Sequence, residues 1–536
     1  LTDKTERPND EPTVRPEAPR ASSAPAPVRG GLLFEGADWD FDTLKRTYDA
    51  VEEIAHGELG LDTYRNQIEV ITAEQMLDAY ASAAMPLMYR HWSFGKRFVQ
   101  SDSLYRAGLQ GLALEIVINS NPSVCYIMEE NSMTAQTTVL AHAAFGHNHF
   151  FKNNSVFRQW TEADTILDYL SFAKAYVARC EDRYGQRAVE RILDAAHALN
   201  DQGVDRYRRR GRPRIETERD RMRRRLEHER ATYNDLWRTV PGAAARTGDA
   251  EEADPEDSVQ RHSLALPEEN VLYFLEKHAP RLKPWERELI RIVRTVSSYF
   301  EPQRQTKVMN EGCACWVHYR IMNRLREQGR ITEGSLLEFM HLHSSVIYQP
   351  GYNERHYSGV NPYALGFAVM QDIERICTEP TAEDRDWFPD MAGNDRPCET
   401  LRDAWEMFRD ESFILQYLSP KVMRDLKLFA IHDDTRDPEL VVRSIHDERG
   451  YARIRRALAR RYDPAVLYPA IDVVDADFQG DRRLVLQHTM RDGCALDALE
   501  ARRVLRHLAG LWTYPVVLRE VDAEDARVVA EYELKP

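Results

Sequence analysis

The sequence predicts a mainly α protein, with a helical core in two packed halves and a small C-terminal α+β domain. Three observations carry this reading. Apolar residues recur at three- and four-residue steps between recognisable caps over residues 36–200 and again over 264–430. Between those blocks, over residues 201–263, the periodicity fades and arginine accumulates. After about residue 431, short β-branched runs replace the helical pattern.

Taken in order, residues 1–31, within a tail expected over 1–35, hold six prolines among alanines and serines and almost no large apolar side chains. Such a segment cannot bury enough surface to repay its ordering, and a disordered tail is expected. From Asp38 onward Phe41, Leu44, Tyr48, Val51 and Ile54 mark a helix. Thr72 and Gln75 form a capping box that opens a second helix, which should stop before Pro86. Thr161 to Tyr184 and Gln186 to Leu199 read as two more, separated by Gly185. In the second block Pro267 to His278 and Pro284 to Phe300 start with proline in the first turn, where its missing N–H costs nothing. About Gln303 to Gln328, Ser335 to Val346, and Pro362 to about Ile376 with Asn361 as N-cap complete the helical layer. Beyond residue 431, Ala470 to Val474, Leu484 to His488 and Tyr514 to Arg519 are strand candidates, with a helix over about 496–511.

Composition narrows the function classes. The chain has 536 residues, 43% hydrophobic and 30% charged, with a formal net charge of -15. No stretch reaches the roughly 18–20 uncharged apolar residues that span a bilayer, and the N-terminal residues lack a signal-peptide layout. The seven cysteines include no CxxC pair. A cytoplasmic protein without a disulfide frame is therefore expected. Residues 206–230 carry twelve arginines against five acids. They read either as a basic arm for a polyanion or as a solvated, salt-bridged helix; mixed-in acids and the lack of interleaved aromatics favour the second, so nucleic acid is not the expected partner.

There is no Walker A loop, Rossmann fingerprint, nucleophile elbow, kinase signature set or zincin helix. Histidine, in contrast, is unevenly placed: nine of 17 fall at 91, 142, 147, 149 and 197 and at 318, 341, 343 and 356. These lie on apolar backgrounds rich in Glu, Asn and Gln, a pattern that suggests a polar pocket inside a helical core. On a regular α-helix His142 and His147 would diverge by roughly 140°. Gly146 allows a bulge or a break there, and a five-residue spacing is what a π-bulge aligns. Glu311, Cys315 and His318 share one helical face. His142, His147, Glu311 and His318 are accordingly the candidate ligands of a divalent metal, of the Zn, Mn or Fe kind, with an open position for water. Glu129 and Glu130, a polar island after an apolar run, are the candidates for a general base. His91, Glu115, Asn131, Gln136, His197, His343 and His356 are the further residues expected to line the pocket. Of His341 and His343, two residues apart on a helix, at most one can face it. The loop from Tyr348 to Tyr363 has the Gly, Pro, Asn and tyrosine content of a ligand-lining segment.

Several long motifs resemble one family. They are Met85 to Phe98 (MPLMYRHWSFGKRF), Glu115 to Asn131 (EIVINSNPSVCYIMEEN), Ala141 to Asn154 (AHAAFGHNHFFKNN), Leu193 to Tyr207 (LDAAHALNDQGVDRY), Asn310 to Tyr319 (NEGCACWVHY) and Gly359 to Phe367 (GVNPYALGF). Together, in this order, they resemble the SpoVR family, stage V sporulation protein R. The resemblance implies a bacterial protein of spore-cortex formation or, in non-sporulating relatives, of stationary-phase and stress responses. It further implies a PrkA-type serine kinase and a von Willebrand A-like protein as partners, and it supplies no catalytic list. Cys313, Cys315 and His149 depart from the family pattern. A looser likeness joins His142 to His147 and Glu311 to Ala314 to helical metallopeptidases that pair a Gly-His helix with a distant Glu-Gly-x-Ala segment. Two function classes follow: a metal-dependent hydrolase or amidase-like enzyme acting on a peptide or cell-wall precursor, and a non-catalytic regulator or scaffold of the kinase pathway.

Overall fold

In a computed structural model the described residues are 31–81, 88–94, 96, 99–100, 114–206, 266–355, 357–429, 431–432, 441–442, 448–477 and 481–535. The proline-rich residues 1–30 and most of the arginine-rich segment, from residue 207 to 265, lie outside them, as does His356.

Helix α1 (Phe41–Glu52) starts where Asp40 accepts a hydrogen bond from the Thr43 amide. Strand β1 (Asn66–Ile71) leads into α2 (Ala73–Ala81), whose entry is the expected capping box: Gln75 N–H donates to Thr72 Oγ1 and Thr72 N–H to Gln75 Oε1. Strands β2 (Glu115–Ile118) and β3 (Ser123–Met128) follow, and β3 is central in a three-stranded sheet, parallel to β1 and antiparallel to β2. This sheet was not expected from the sequence. Helix α3 (Met133–Val139) then passes without a break into a π-helical segment, Leu140–His147, and on into α4 (Asn148–Asn153). The Asn148 amide reaches back to the Ala143 carbonyl, the i→i−5 bond of a π-turn.

Helices α5 (Ser155–Trp160), α6 (Ile166–Tyr184) and α7 (Gln186–Ala198) end the first block; Gly185, at φ 85, makes the break between α6 and α7. In the second block α8 (Val271–His278) is capped by Asn270, three residues later than the proline-led start suggested. Helices α9 (Pro284–Gln305) and α10 (Lys307–Glu327) are the long central pair. Thr306, which separates them, offers α10 no side-chain cap. Instead the buried Asp410 accepts from the Val308 and Met309 amides at 2.8 and 2.9 Å. Helices α11 (Glu333–Val346), α12 (Pro362–Thr378), α13 (Ala382–Trp387), α14 (Pro397–Met407), α15 (Asp410–Tyr417) and α16 (Pro420–Asp425) wrap this pair.

After the short strands β4 (Ile431–His432) and β5 (Val441–Val442) the chain returns to helix, α17 (Glu448–Arg460) and α18 (Pro464–Leu467). The C-terminal unit is a four-stranded sheet, β6 (Ala470–Ala476), β7 (Leu484–Met490), β8 (Val516–Asp522) and β9 (Val528–Leu534), in that spatial order. Only β7 and β8 are parallel, as the α19 crossover (Ala498–Trp512) between them requires.

The hydrophobic interior divides into two large cores, and the division cuts across the sequence blocks 36–200 and 264–430. One core joins Val51, Phe145 and Phe150 of the first block to Met309, Trp316, Met370 and Phe413 of the second, and takes in Tyr451 and Leu458 of α17. The helical part thus continues past residue 431, and the sheet unit begins at Ala470. The other core joins Leu170, Ile192 and Leu193 to Leu272, Ile290 and Val293, and shares Val473, Leu486, Trp512 and Val516 of the C-terminal sheet and helix. A two-way backbone bridge between Glu268 and Val473 fastens that sheet to the approach to α8. Among the described residues no helix is long and apolar enough to cross a membrane.

Candidate metal centre

The π-segment and α10 come close enough for their backbones to touch, and two small residues allow it. A Cβ on Gly146 would stand 2.6 Å from Ala314 Cα. On the far side of α10, a Cβ on Gly312 would stand 2.6 Å from Gly366 Cα in α12. Helix α10 is therefore clamped between the π-segment and α12, and the Glu-Gly-x-Ala stretch is the place where the clamp closes.

This brings together four side chains from three elements. His142 and His147 come from the π-segment, Glu311 from α10 and Glu115 from the start of β2. The extra residue per turn does what the five-residue spacing demanded: the two imidazole centroids are 4.6 Å apart. Glu311 Oε2 lies 3.5 Å from His147 Nε2 and 3.8 Å from His142 Nε2, and Glu115 Oε1 lies 3.7 Å from His142 Nε2. Those separations exceed hydrogen-bond length, and Glu311 Oε2 is a buried oxygen with no hydrogen-bond partner among the described residues. They lie at or just beyond the spacing of ligand atoms around one ion, since bonds of roughly 2.0–2.2 Å in a tetrahedral shell leave roughly 3.3–3.6 Å between donors. The donor set, two imidazoles and two carboxylates, suits a borderline divalent metal.

Both imidazoles are held from behind. His147 Nδ1 donates to Asn310 Oδ1 at 2.8 Å, which leaves its Nε2 lone pair facing Glu311. His142 Nδ1 contacts His318 Nδ1 at 2.9 Å, and His318 Nε2 contacts His343 Nδ1 at 2.7 Å. Burial, reinforced by the His142 charge, holds both outer rings in the neutral form: His318 falls well below the ordinary histidine range and His343 to about 4. If His142 turns a bare Nε2 toward the carboxylates, its Nδ1–H donates to His318 and His318 Nε2–H donates to His343. One tautomer choice sets all three rings.

The electrostatics follow the same arrangement. Burial works against a charge on His142, but the Cys315 thiol and the Glu311 and Glu115 carboxylates outweigh it and hold that imidazole well above its usual range. Burial pulls His147 down to about 4. Burial pushes Glu115 up, and Glu311 adds to the push, while the two imidazoles keep Glu311 low against its own burial. On the other flank Cys315 Sγ, His142 and His318 bring nitrogen and sulfur within 4.8 Å of one another; burial pushes the Cys315 thiol up. Tyr363, in the first turn of α12, stands beside Glu311, and burial together with that carboxylate drives its hydroxyl far above the ordinary range.

The sequence profile described as SpoVR like protein matches residues 38–466, and that described as SpoVR-like C-terminal domain matches residues 469–523. The chain belongs to the SpoVR family. The boundary between the two profiles falls between α18 and β6, where the four-stranded sheet begins. This SpoVR protein is 50% identical over 488 residues to the Escherichia coli (strain K12) protein named Uncharacterized protein YcgB, covering 91% of this chain and 94% of that one. No solved structure matches.

The remaining sequence candidates of this SpoVR protein are placed as follows. Glu129 and Glu130 do not join the imidazoles: they are exposed on the turn that leaves β3, and Glu130 Oε1 accepts from the Ala73 amide at the start of α2. They follow the strand's apolar run directly, but the run ends at the sheet's rim, away from the buried face. Glu115, on the neighbouring strand, is the carboxylate that reaches His142. His318 stands one ring back from Glu311, with both nitrogens engaged by other histidines. His343 is buried and His341 exposed, so one of that pair faces inward, as helical spacing requires. Asn131 and Gln136 brace the turn into α3: Gln136 Nε2 donates to the Met128 carbonyl and Asn131 Nδ2 to the Leu114 carbonyl. His91 and His197 form a different cluster, in the second core's neighbourhood, where His91 Nε2 meets Asp194 at 3.0 Å and His197 Nε2 meets the Tyr89 hydroxyl at 2.6 Å. His149 Nδ1 accepts from the Asp62 amide, outside the four-donor group. Asn310 and Asp410 were not singled out by sequence; the available signal was Asn310's place immediately before Glu311.

Proposed function

We propose that this SpoVR protein is a metal-dependent hydrolase or amidase-like enzyme acting on a peptide or cell-wall precursor in the bacterial cytoplasm, in the setting of spore-cortex formation or stationary-phase stress. The observation that supports it is the unpaired Glu311 Oε2 facing two imidazole nitrogens at 3.5 and 3.8 Å. A buried carboxylate oxygen without a hydrogen bond carries a desolvation cost that a cation in the gap removes. His142, His147 and Glu311 hold the ion in this reading. Glu115 is the carboxylate at hand to orient a water and take its proton. A bound divalent ion would polarise a carbonyl oxygen and bring a coordinated water's pKa to ~7. The side chains of Glu115 and Glu311 keep 20% and 15% of their exposure.

The test is elemental analysis of protein purified without a histidine tag, after loading with Zn, Mn or Fe and removal of excess ion. About one equivalent should remain in the wild type and be lost from His147→Ala and Glu311→Gln. In a host lacking its own copy, the same variants should fail to complement. An absence of retained metal, or variants that lose the ion yet complement fully, would overturn the enzyme and leave the regulator or scaffold of the kinase pathway as the reading.

A further inference from the structure

A second feature has no part in the metal centre. Between α5, the end of α9, residue 206 and the α14–α15 junction lies a cavity of about 230 Å³. Its polar lining is Ser155, Gln159, Arg206, Gln305, Arg409 and Ser412, with Trp160 on one side. Among the described residues no carboxylate lines it, and the lining comes from segments belonging to both cores.

Arg206 is the decisive residue. Its side chain keeps only 8% of its exposure, and its Nη2 is buried without a hydrogen-bond partner among the described residues. Its Nε and one face are committed. Nε pairs with the fully buried Glu301 at 3.2 Å, Gln305 Nε2 donates to the same carboxylate oxygen at 3.0 Å, and the Tyr468 ring covers the guanidinium face with its centroid at 3.8 Å. Glu301 and Tyr468 thus fix the group and leave one edge over. Arg409 sits on the opposite segment, half-exposed, with its Nη2 on Glu411 at 2.8 Å. A buried donor edge without an acceptor costs free energy unless a ligand supplies one.

We propose that this cavity binds an oxyanion of the phosphate class, either inorganic phosphate or the phosphoryl end of a small phosphomonoester, and that the bound group ties the two cores together. The Ser412 hydroxyl is spent on the Arg409 carbonyl, but two guanidinium groups, the Ser155 hydroxyl and two carboxamides still offer more donors than the two oxygens of a carboxylate accept, and they suit the three or four oxygens of a phosphoryl group. Since Glu301 and Glu411 already balance the arginine charges, selection rests on directed hydrogen bonds more than on net charge.

The experiment is isothermal titration of the full-length protein with inorganic phosphate, with acetate and with phenyl phosphate at one ionic strength. Phosphate should bind saturably, and acetate at least about tenfold more weakly. Arg409→Gln, a partly exposed change that leaves the Arg206–Glu301 pair intact, should weaken phosphate about tenfold. Arg206→Lys, which keeps a cation opposite Glu301 but loses the spare edge, should do the same. Phenyl phosphate binding tighter than phosphate assigns the site to an organic phosphomonoester; weaker binding assigns it to free phosphate. No saturable phosphate binding by the wild type, or Arg409→Gln binding as tightly as the wild type, overturns the proposal. Metal retention by either variant should stay unchanged, so failure here is separable from failure of the metal reading.

Discussion

His147 and Asn310 show how one residue can set the chemistry of another. Because the Asn310 oxygen can only accept, the imidazole proton must sit on Nδ1, and Nε2 is left as a lone pair aimed at Glu311. Removing that acceptor leaves the ring free to change tautomer or rotate, although no ligand atom has been deleted. Asn310→Ala is therefore expected to weaken metal retention by about 10–100-fold, the usual cost of losing a partner behind a ligand, with the helical circular dichroism unchanged. Competition against a chelator of known affinity measures it. An unchanged affinity would show that Asn310 only fills space. His318 acts through His142 in the same manner, which is why its placement on the Glu311 face made it look like a direct ligand in the sequence. Helical spacing says which residues share a face, but not which of them another side chain screens from the centre.

At the scale of elements, the arrangement depends on how closely α10 approaches its neighbours. Gly366 is the tightest point: a Cβ there would stand 2.1 Å from the Val308 carbonyl oxygen and 2.8 Å from Gly312 Cα. Backbone cannot yield as a flexible side chain does, so Gly366→Ala must move α12 away from α10. A destabilisation of about 3 kcal/mol or more is expected, at the upper end of overpacking costs, together with displaced Glu311 and reduced metal retention. Denaturant titration reads the first effect. A variant as stable as the wild type would mean that the clamp is loose. Much of this level was legible from the chain. The Thr72–Gln75 box, Gly185, the Pro284 start and the Asn361-Pro362 entry all use local chemistry that short stretches reveal. The π-turn was legible too, because Gly146 and the His142–His147 spacing each called for it. The three-stranded sheet was not. The β3 run SVCYIM is mostly buried and does not alternate cleanly, β2 is four residues long, and β1 pairs with β3 across more than fifty residues of chain. Missing that sheet is also what made Glu129 and Glu130 look like site acids, since the strand's exit at Met128 turns them toward solvent.

At the scale of the whole molecule, the two sequence blocks do not correspond to the two cores. The chain crosses between cores within each block, so the interior that surrounds the candidate metal centre is made of the π-segment from one block and α10, α11 and α12 from the other. The C-terminal sheet is packed into the other core, through Val473, Leu486 and Val516. Any ion held by His142, His147 and Glu311 therefore cross-links segments more than 160 residues apart within a single core, and it stabilises the folded form in proportion to the logarithm of its concentration over its dissociation constant. At a thousandfold excess over that constant the contribution is ~4 kcal/mol, comparable with the local opening free energy of many helices. Stripping the ion with a chelator should consequently act unevenly. Amide exchange is expected to speed up by two to three orders of magnitude in Leu140–His147 and in the first half of Lys307–Glu327, where the two ligand-bearing elements meet. The β7 and β8 strands, whose stability comes from the second core, should exchange at the same rate with or without the chelator. Hydrogen exchange followed by mass spectrometry distinguishes these regions in one experiment, and re-adding the metal should restore the protection. Equal acceleration in both cores would mean that they unfold as one cooperative unit. No acceleration anywhere would remove the ion from the account of this core's stability.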